Sequence, residues 1–193
     1  MSLLDPASSK KSRIVLLGFM GAGKTTIGAM LARRLGWAFH DADAALEKRT
    51  GLSIAEVFTR DGEQGFRVLE AETVAELMQQ DHVVIALGGG AIESPSTRSL
   101  LGSSASIRTV FLDAPLKSML DRCQDSPTIR PLLQDREAIH ARYKRRLPHY
   151  QSAEIAVNTE GLTPEEVVEI LSERLHEPPV GTAADENFKG RSL

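Results

Sequence analysis

The sequence predicts an α/β protein with a five-stranded parallel sheet flanked by helices, and three observations carry that prediction. Short β-rich runs alternate with longer helical patterns along the chain, which is the mark of successive βαβ units. Runs 13–18 (RIVLLG), 82–87 (HVVIAL) and 108–112 (RTVFL) are apolar almost throughout, as strands covered on both faces must be. The length, 193 residues with 41% hydrophobic content, suits one domain with a core of its own.

In order, the first strand, 13–18, leads through a glycine-rich turn into a helical pattern over 25–35. A second strand, AFHD (38–41), precedes a helix over 44–49. Ser53 and Glu56 form a capping box, and Ser94-Pro95 pairs an N-cap with a proline at the first helical position. The third and fourth strands are 82–87 and 108–112, and the fifth is EIAVN (154–158). Thr163-Pro164-Glu165-Glu166 then opens the last helix with both capping devices. No repeat or linker interrupts 13–176, which reads as a single domain. Residues 1–12 read as a flexible arm, and 177–193, rich in Pro, Gly and charge, as a disordered tail.

Composition excludes several classes. A single cysteine, Cys123, permits neither an internal disulfide framework nor a Cys-rich zinc module, and a reducing cytoplasm is the expected compartment. No run approaches the roughly 18 apolar residues of a membrane span. A formal net charge of −3 gives no electrostatic footprint for nucleic acid. The charge is uneven, however: 121–150 holds seven Lys and Arg against four Asp and Glu, a local surface suited to anions.

The most specific motif is Gly18-Phe19-Met20-Gly21-Ala22-Gly23-Lys24-Thr25, a full G-x-x-x-x-G-K-[ST] match set between a strand and a helix. Its glycines let backbone N–H groups turn toward phosphate oxygens, and the helix N-terminus adds partial positive charge. Lys24 is expected to reach the β- and γ-phosphates of a nucleotide, and Thr25 to offer its hydroxyl to Mg²⁺. Motor ATPases, GTPases and small-molecule kinases share such a loop. The length leaves no room for motor domains, and the N-K-x-D element of a guanine site is absent.

What faces the phosphates separates the remaining readings. The second strand ends in Asp41-Ala42-Asp43, two carboxylates at the C-terminal edge of the sheet. One can serve a metal while the other orients a hydroxyl and accepts its proton. Either can instead cap the following helix, and by cap preference Asp43 is a candidate for that. Arg67 and Glu70, three residues apart on a helix, read in isolation as a surface ion pair. Gly88-Gly89-Gly90 ends the third strand, where a ligand approaching the main chain or a loose turn would both account for three glycines. Segment 124–135 is a proline-containing loop of lid-like length. From it Arg130 can close over a transferring phosphoryl group. Arg146 can grip a carboxylate by a two-pronged contact, although 144–146 alone reads as a solvated helix end.

Six motifs, in order, resemble those of the shikimate kinase family over about 13–176. They are Gly18–Thr25, Asp41/Asp43, Gly62-Glu63-Gln64-Gly65-Phe66-Arg67-Val68-Leu69-Glu70, Gly88–Gly90, Arg130-Pro131-Leu132-Leu133, and Arg146-Leu147-Pro148-His149-Tyr150-Gln151-Ser152-Ala153. The resemblance implies a three-layer P-loop kinase fold like that of nucleoside monophosphate kinases, with a shikimate-binding part at about 42–70 and a lid at about 124–135. It implies transfer of the ATP γ-phosphoryl group to the 3-hydroxyl of shikimate; the chain is separately expected to be a cytoplasmic monomer with no nucleic-acid or membrane partner. The resemblance gives Asp43 the roles of acceptor ligand and base, and makes Lys24 and Arg130 catalytic. Arg67 and Arg146, with the backbone of Gly88, Gly89 and Gly90, would hold the shikimate carboxylate. Gly21, Ala22, Gly23, Lys24, Thr25 and Thr26 would bind nucleotide together with Arg122, near the adenine, and Arg130. Mg²⁺ would meet Thr25 and, through water, Asp41. Gly65, where relatives often carry a helix former, is expected to loosen the acceptor-binding helix. Gluconate kinases and other metabolite kinases of this fold are the alternative, but the paired arginines speak against them. A ligand-binding regulatory module would need a fused DNA-binding helix-turn-helix or a broken phosphate loop, and neither is present.

Overall fold

Five strands pair in parallel in the spatial order second, third, first, fourth, fifth; the first strand sits at the centre, the chain crosses from it to one edge, returns to fill the gap with the third strand, and then adds the fourth and fifth on the other side. The computed structural model describes residues 12–123 and 135–176. Arm 1–11, tail 177–193 and most of the expected lid, 124–134 with Arg130, therefore lie outside the described residues.

The strands are β1 (Arg13–Leu17), β2 (Ala38–Asp41), β3 (Val83–Ala86), β4 (Ile107–Asp113) and β5 (Ile155–Asn158). The helices are α1 (Lys24–Leu35), α2 (Ala42–Thr50), α3 (Ile54–Leu77), α4 (Pro95–Gly102), α5 (Leu116–Arg122), α6 (Arg136–Gln151) and α7 (Pro164–His176), with a 3-10 turn at Ala91–Glu93. Val15 pairs with Ile85 on one side and Thr109 on the other. The three apolar runs form the central strands: Val15, Leu16, Val83, Val84, Ile85, Val110 and Leu112 are fully buried. Edge strand β5 alternates buried and exposed residues, as a strand with one covered face should. A smaller core of Leu46, Val57 and Phe66 joins α2 to α3.

The predicted caps form. Ser53 and Glu56 bond reciprocally at the start of α3, Ser94 accepts from the Thr97 N–H ahead of α4, and Thr163 and Glu166 bond reciprocally at α7. Two local expectations differ. Helix α2 begins at Ala42 rather than 44 because Asp41, not Asp43, is its N-cap: Asp41 Oδ1 accepts from the N–H groups of Asp43 and Ala44. Helix α6 runs through Pro148 to Gln151, so 144–146 lies in its body and Arg146 is buried rather than solvated.

Helix α3 bends at Gly62, whose φ of 69° and ψ of −177° are open to glycine and strained for other residues. The bend folds Asp61 back over Gly65, where a Cβ would lie 2.5 Å from the Asp61 Cβ. Gly65 is thus there for space, and does not simply loosen the helix.

Candidate active site

The C-terminal ends of β1, β2 and β3 converge at the point where strand order reverses, the usual position of ligand sites in open α/β sheets. The loop after β1 carries Gly21 at φ 73° and Gly23 at φ 89°. A Cβ on Gly21 would collide with the Met119 carbonyl oxygen and approach the Cys123 sulfur at 2.8 Å. Helix α5 thus packs directly on the loop and holds its shape.

Lys24, the first residue of α1, folds back so that its Nζ donates to the Gly18 and Phe19 carbonyls at 2.9 and 3.0 Å. Burial lowers its pKa to about 8, against the opposing pull of Asp43 and Asp41. Thr25 donates its hydroxyl to Asp41 Oδ2 at 2.7 Å. Exposed Arg122, at the end of α5, reaches the same loop, with Nη1 at 3.4 Å from the Gly21 carbonyl oxygen.

Asp43 lies in the first turn of α2 and points toward β3. Burial, and next the Asp41 charge, raise its pKa above the ordinary carboxylate range, while Lys24 and Arg67 pull it down. Gly88 admits it: a Cβ there would strike Asp43 Oδ1 and lie 3.2 Å from Glu70 Oε1. Glu70 is only 4% exposed and accepts from Arg67 Nη1 at 2.7 Å. The pair is therefore a buried bracket for Arg67, not a surface ion pair, and burial raises the Glu70 pKa against the bonding of Arg67. Arg67 also lies over the Phe66 ring, 5.2 Å from its centroid.

Arg146 approaches from α6, its guanidinium carbon 5.9 Å from the centroid of the Phe19 ring. Gly89 and Gly90 form the floor between the two arginines. A Cβ on Gly90 would meet Arg67 Nη1 and Nη2 at 2.7 and 2.8 Å and Arg146 Nη2 at 3.0 Å; one on Gly89 would meet Arg146 Nη1 at 3.6 Å. The turn is held from beneath by Tyr150, whose hydroxyl donates to the Gly89 carbonyl at 2.5 Å and whose ring stacks on Phe111. Two guanidiniums thus converge on one small volume beside Asp43 and the phosphate loop, an arrangement fit for an anionic acceptor.

Of the residues expected from sequence, Lys24, Thr25, Asp41, Asp43, Arg67, Gly88, Gly89, Gly90, Arg122 and Arg146 come together. Arg130 lies outside the described residues. Sequence reasoning missed Glu93, whose carboxylate bonds both Arg145 and Arg146, and gave Tyr150 no role. Glu93 stands three residues after Gly90, and that proximity to the glycine turn was its one available signal.

Fold and site define a P-loop kinase, an ATP-dependent enzyme acting on a small-molecule alcohol. A profile described as "Shikimate kinase" matches residues 20–176, and the chain belongs to the shikimate kinase family. The shikimate kinase of Halorhodospira halophila is 44% identical over 172 residues, covering 87% of this chain and 96% of that one. Among solved structures, shikimate kinase from Bacteroides thetaiotaomicron superposes with a TM-score of 0.79 at 34% identity, covering 86% of this chain and 99% of its own. Shikimate kinase from Acinetobacter baumannii, in complex with shikimate, superposes with a TM-score of 0.78 at 33% identity, covering 85% and 92%.

Proposed function

We propose that the protein transfers the γ-phosphoryl group of ATP to the 3-hydroxyl of shikimate, giving shikimate 3-phosphate and ADP in chorismate and aromatic amino-acid biosynthesis. The observation that carries this reading is the convergence of Arg67 and Arg146 over Gly90, beside Asp43 and the phosphate loop. A carboxylate on a ring satisfies both guanidiniums and leaves the ring hydroxyls to Asp43.

In this reading Gly21, Ala22, Gly23, Lys24, Thr25 and Thr26 bind the phosphates, Arg122 lies on the nucleotide side, and Arg130, which lies outside the described residues, is the further catalytic arginine. Asp43 accepts the hydroxyl proton as the new O–P bond forms and the bond to the β,γ-bridging oxygen breaks. Its raised pKa makes it a better base than an ordinary aspartate. Lys24 stabilises charge on the transferred group. The family's ATP dependence implies a divalent metal. Thr25 and Asp41 fit Mg²⁺, because it binds through one or two protein oxygens, substrate phosphates and retained waters, and their oxygens stand 2.7 Å apart. When bound, the ion neutralises phosphate charge. The chain acts as a cytoplasmic monomer; among the described residues no helix is long and apolar enough to cross a membrane.

The test is ADP release with MgATP and either shikimate or gluconate. Turnover of shikimate supports the reading, and turnover of gluconate alone overturns it.

A further inference from the structure

Arg146 presents its two Nη groups to the acceptor volume because its third nitrogen is held elsewhere. Its Nε donates to Glu93 Oε2 at 2.7 Å, and the second oxygen, Oε1, takes the Nε of Arg145. Glu93 therefore makes one bond to each arginine. A carboxylate facing a lone guanidinium prefers the two-pronged fork, which would turn an Nη of Arg146 away from Gly89 and Gly90. Arg145, with 64% of its side chain exposed, occupies the oxygen that such a fork needs. The two acceptor arginines then have separate carboxylates: Glu70 faces Arg67 and Glu93 faces Arg146. That matters because the guanidiniums meet the same Cβ position on Gly90 and repel one another there.

We propose that Glu93, braced by Arg145, is a positioning residue that aims Arg146 at the carboxylate of the acceptor and so sets acceptor affinity. The inference rests on the proposed shikimate site and names a determinant of it outside the six motifs. Glu93 is the last residue of the 3-10 turn that follows Gly90, so it also ties that turn to α6. A merely structural tie would weaken every substrate alike, whereas a positioning role is confined to the carboxylate.

The experiment compares the parent protein with Glu93→Gln and Glu93→Asp, measuring KM for shikimate, KM for ATP and kcat. The same variants are titrated with shikimate and with its neutral carboxamide. Glu93→Gln should raise KM for shikimate about tenfold, the scale of one charge-assisted hydrogen bond, with KM for ATP and kcat within about twofold. Glu93→Asp, which keeps the charge, should recover part of the loss, and carboxamide binding should be the same in parent and variant. Equal loss for shikimate, its carboxamide and ATP would overturn the proposal in favour of a structural tie, and so would an unchanged KM. Failure of the parent to phosphorylate shikimate would instead overturn the function it rests on.

Discussion

Thr25 and Asp41 are joined by a 2.7 Å hydrogen bond from Oγ1 to Oδ2, while Oδ1 of the same aspartate caps α2. One carboxylate thus fixes both a helix start and the hydroxyl proposed for the metal. The two jobs separate by substitution. Asn caps as well as Asp, so Asp41→Asn should leave the unfolding free energy unchanged while raising the Mg²⁺ concentration needed for half-maximal rate. Asp41→Ala should also lose about 1 kcal/mol of stability. Urea unfolding and a Mg²⁺ titration of the rate measure the two effects.

Asp43 serves no cap, since Asp41 has taken that place, and its position inside the first turn aims it past Gly88. Asp43→Asn should therefore leave nucleotide affinity nearly intact and lower kcat by about 10²–10⁴, the range of a general base. The folded pKa is raised above the unfolded one, so the ionised carboxylate opposes folding at pH above the ordinary Asp range. The Asn variant should accordingly melt no lower than the parent. The acid limb of the parent's kcat/KM profile should lie above the usual pKa of aspartate. A near-normal kcat for the variant would reduce Asp43 to a positioner.

The pKa of about 8 for Lys24 gives an alkaline limb. Above that pH the free protein presents a neutral amine to the phosphates, so KM for ATP should rise through pH 8–9. Bound phosphates restore the proton, and kcat should hold to higher pH. The folded value lies below the ordinary value of 10.5, so the unfolded chain binds more protons between about 8 and 10.5. Stability linked to this residue therefore rises with pH across that window. Initial rates and thermal melts from pH 7 to 10 test both signs.

The phosphate loop was legible because its information is local: strand, glycines, lysine and helix lie within a few residues. The same holds for the Ser53, Ser94 and Thr163 caps. Burial is not local, and there the reading failed. Arg67 and Glu70 have the spacing of a surface pair, and only the packing of α3 against the glycine turn that follows β3 shows Glu70 to be enclosed. Asp41 and Asp43 are equally good caps by residue type, so the choice between them falls to the register at which β2 ends. Residues 144–146 alone have the charge of a solvated helix end, yet α6 continues through Pro148 and delivers Tyr150 to the Gly89 carbonyl. Glu93 and Arg146 are 53 positions apart, and no periodicity connects them.

The glycine floor offers a direct test of the paired arginines. Gly90 has φ −95° and ψ −16°, a conformation alanine adopts freely, so Gly90→Ala carries no backbone penalty. Its methyl would, however, lie 2.7–3.0 Å from three guanidinium nitrogens of Arg67 and Arg146. Those nitrogens end long side chains and can swing away, so the fold survives and the cradle opens. Gly21→Ala differs on both counts: φ is positive and the obstacle is the backbone oxygen of Met119, so it should disrupt the loop itself. For Gly90→Ala we expect a melting temperature within about 2 °C of the parent. KM for shikimate should rise about tenfold or more, with KM for ATP changed less than about twofold. If the variant binds shikimate as the parent does, the two guanidiniums are not what holds the carboxylate, and the acceptor must lie elsewhere on the sheet edge.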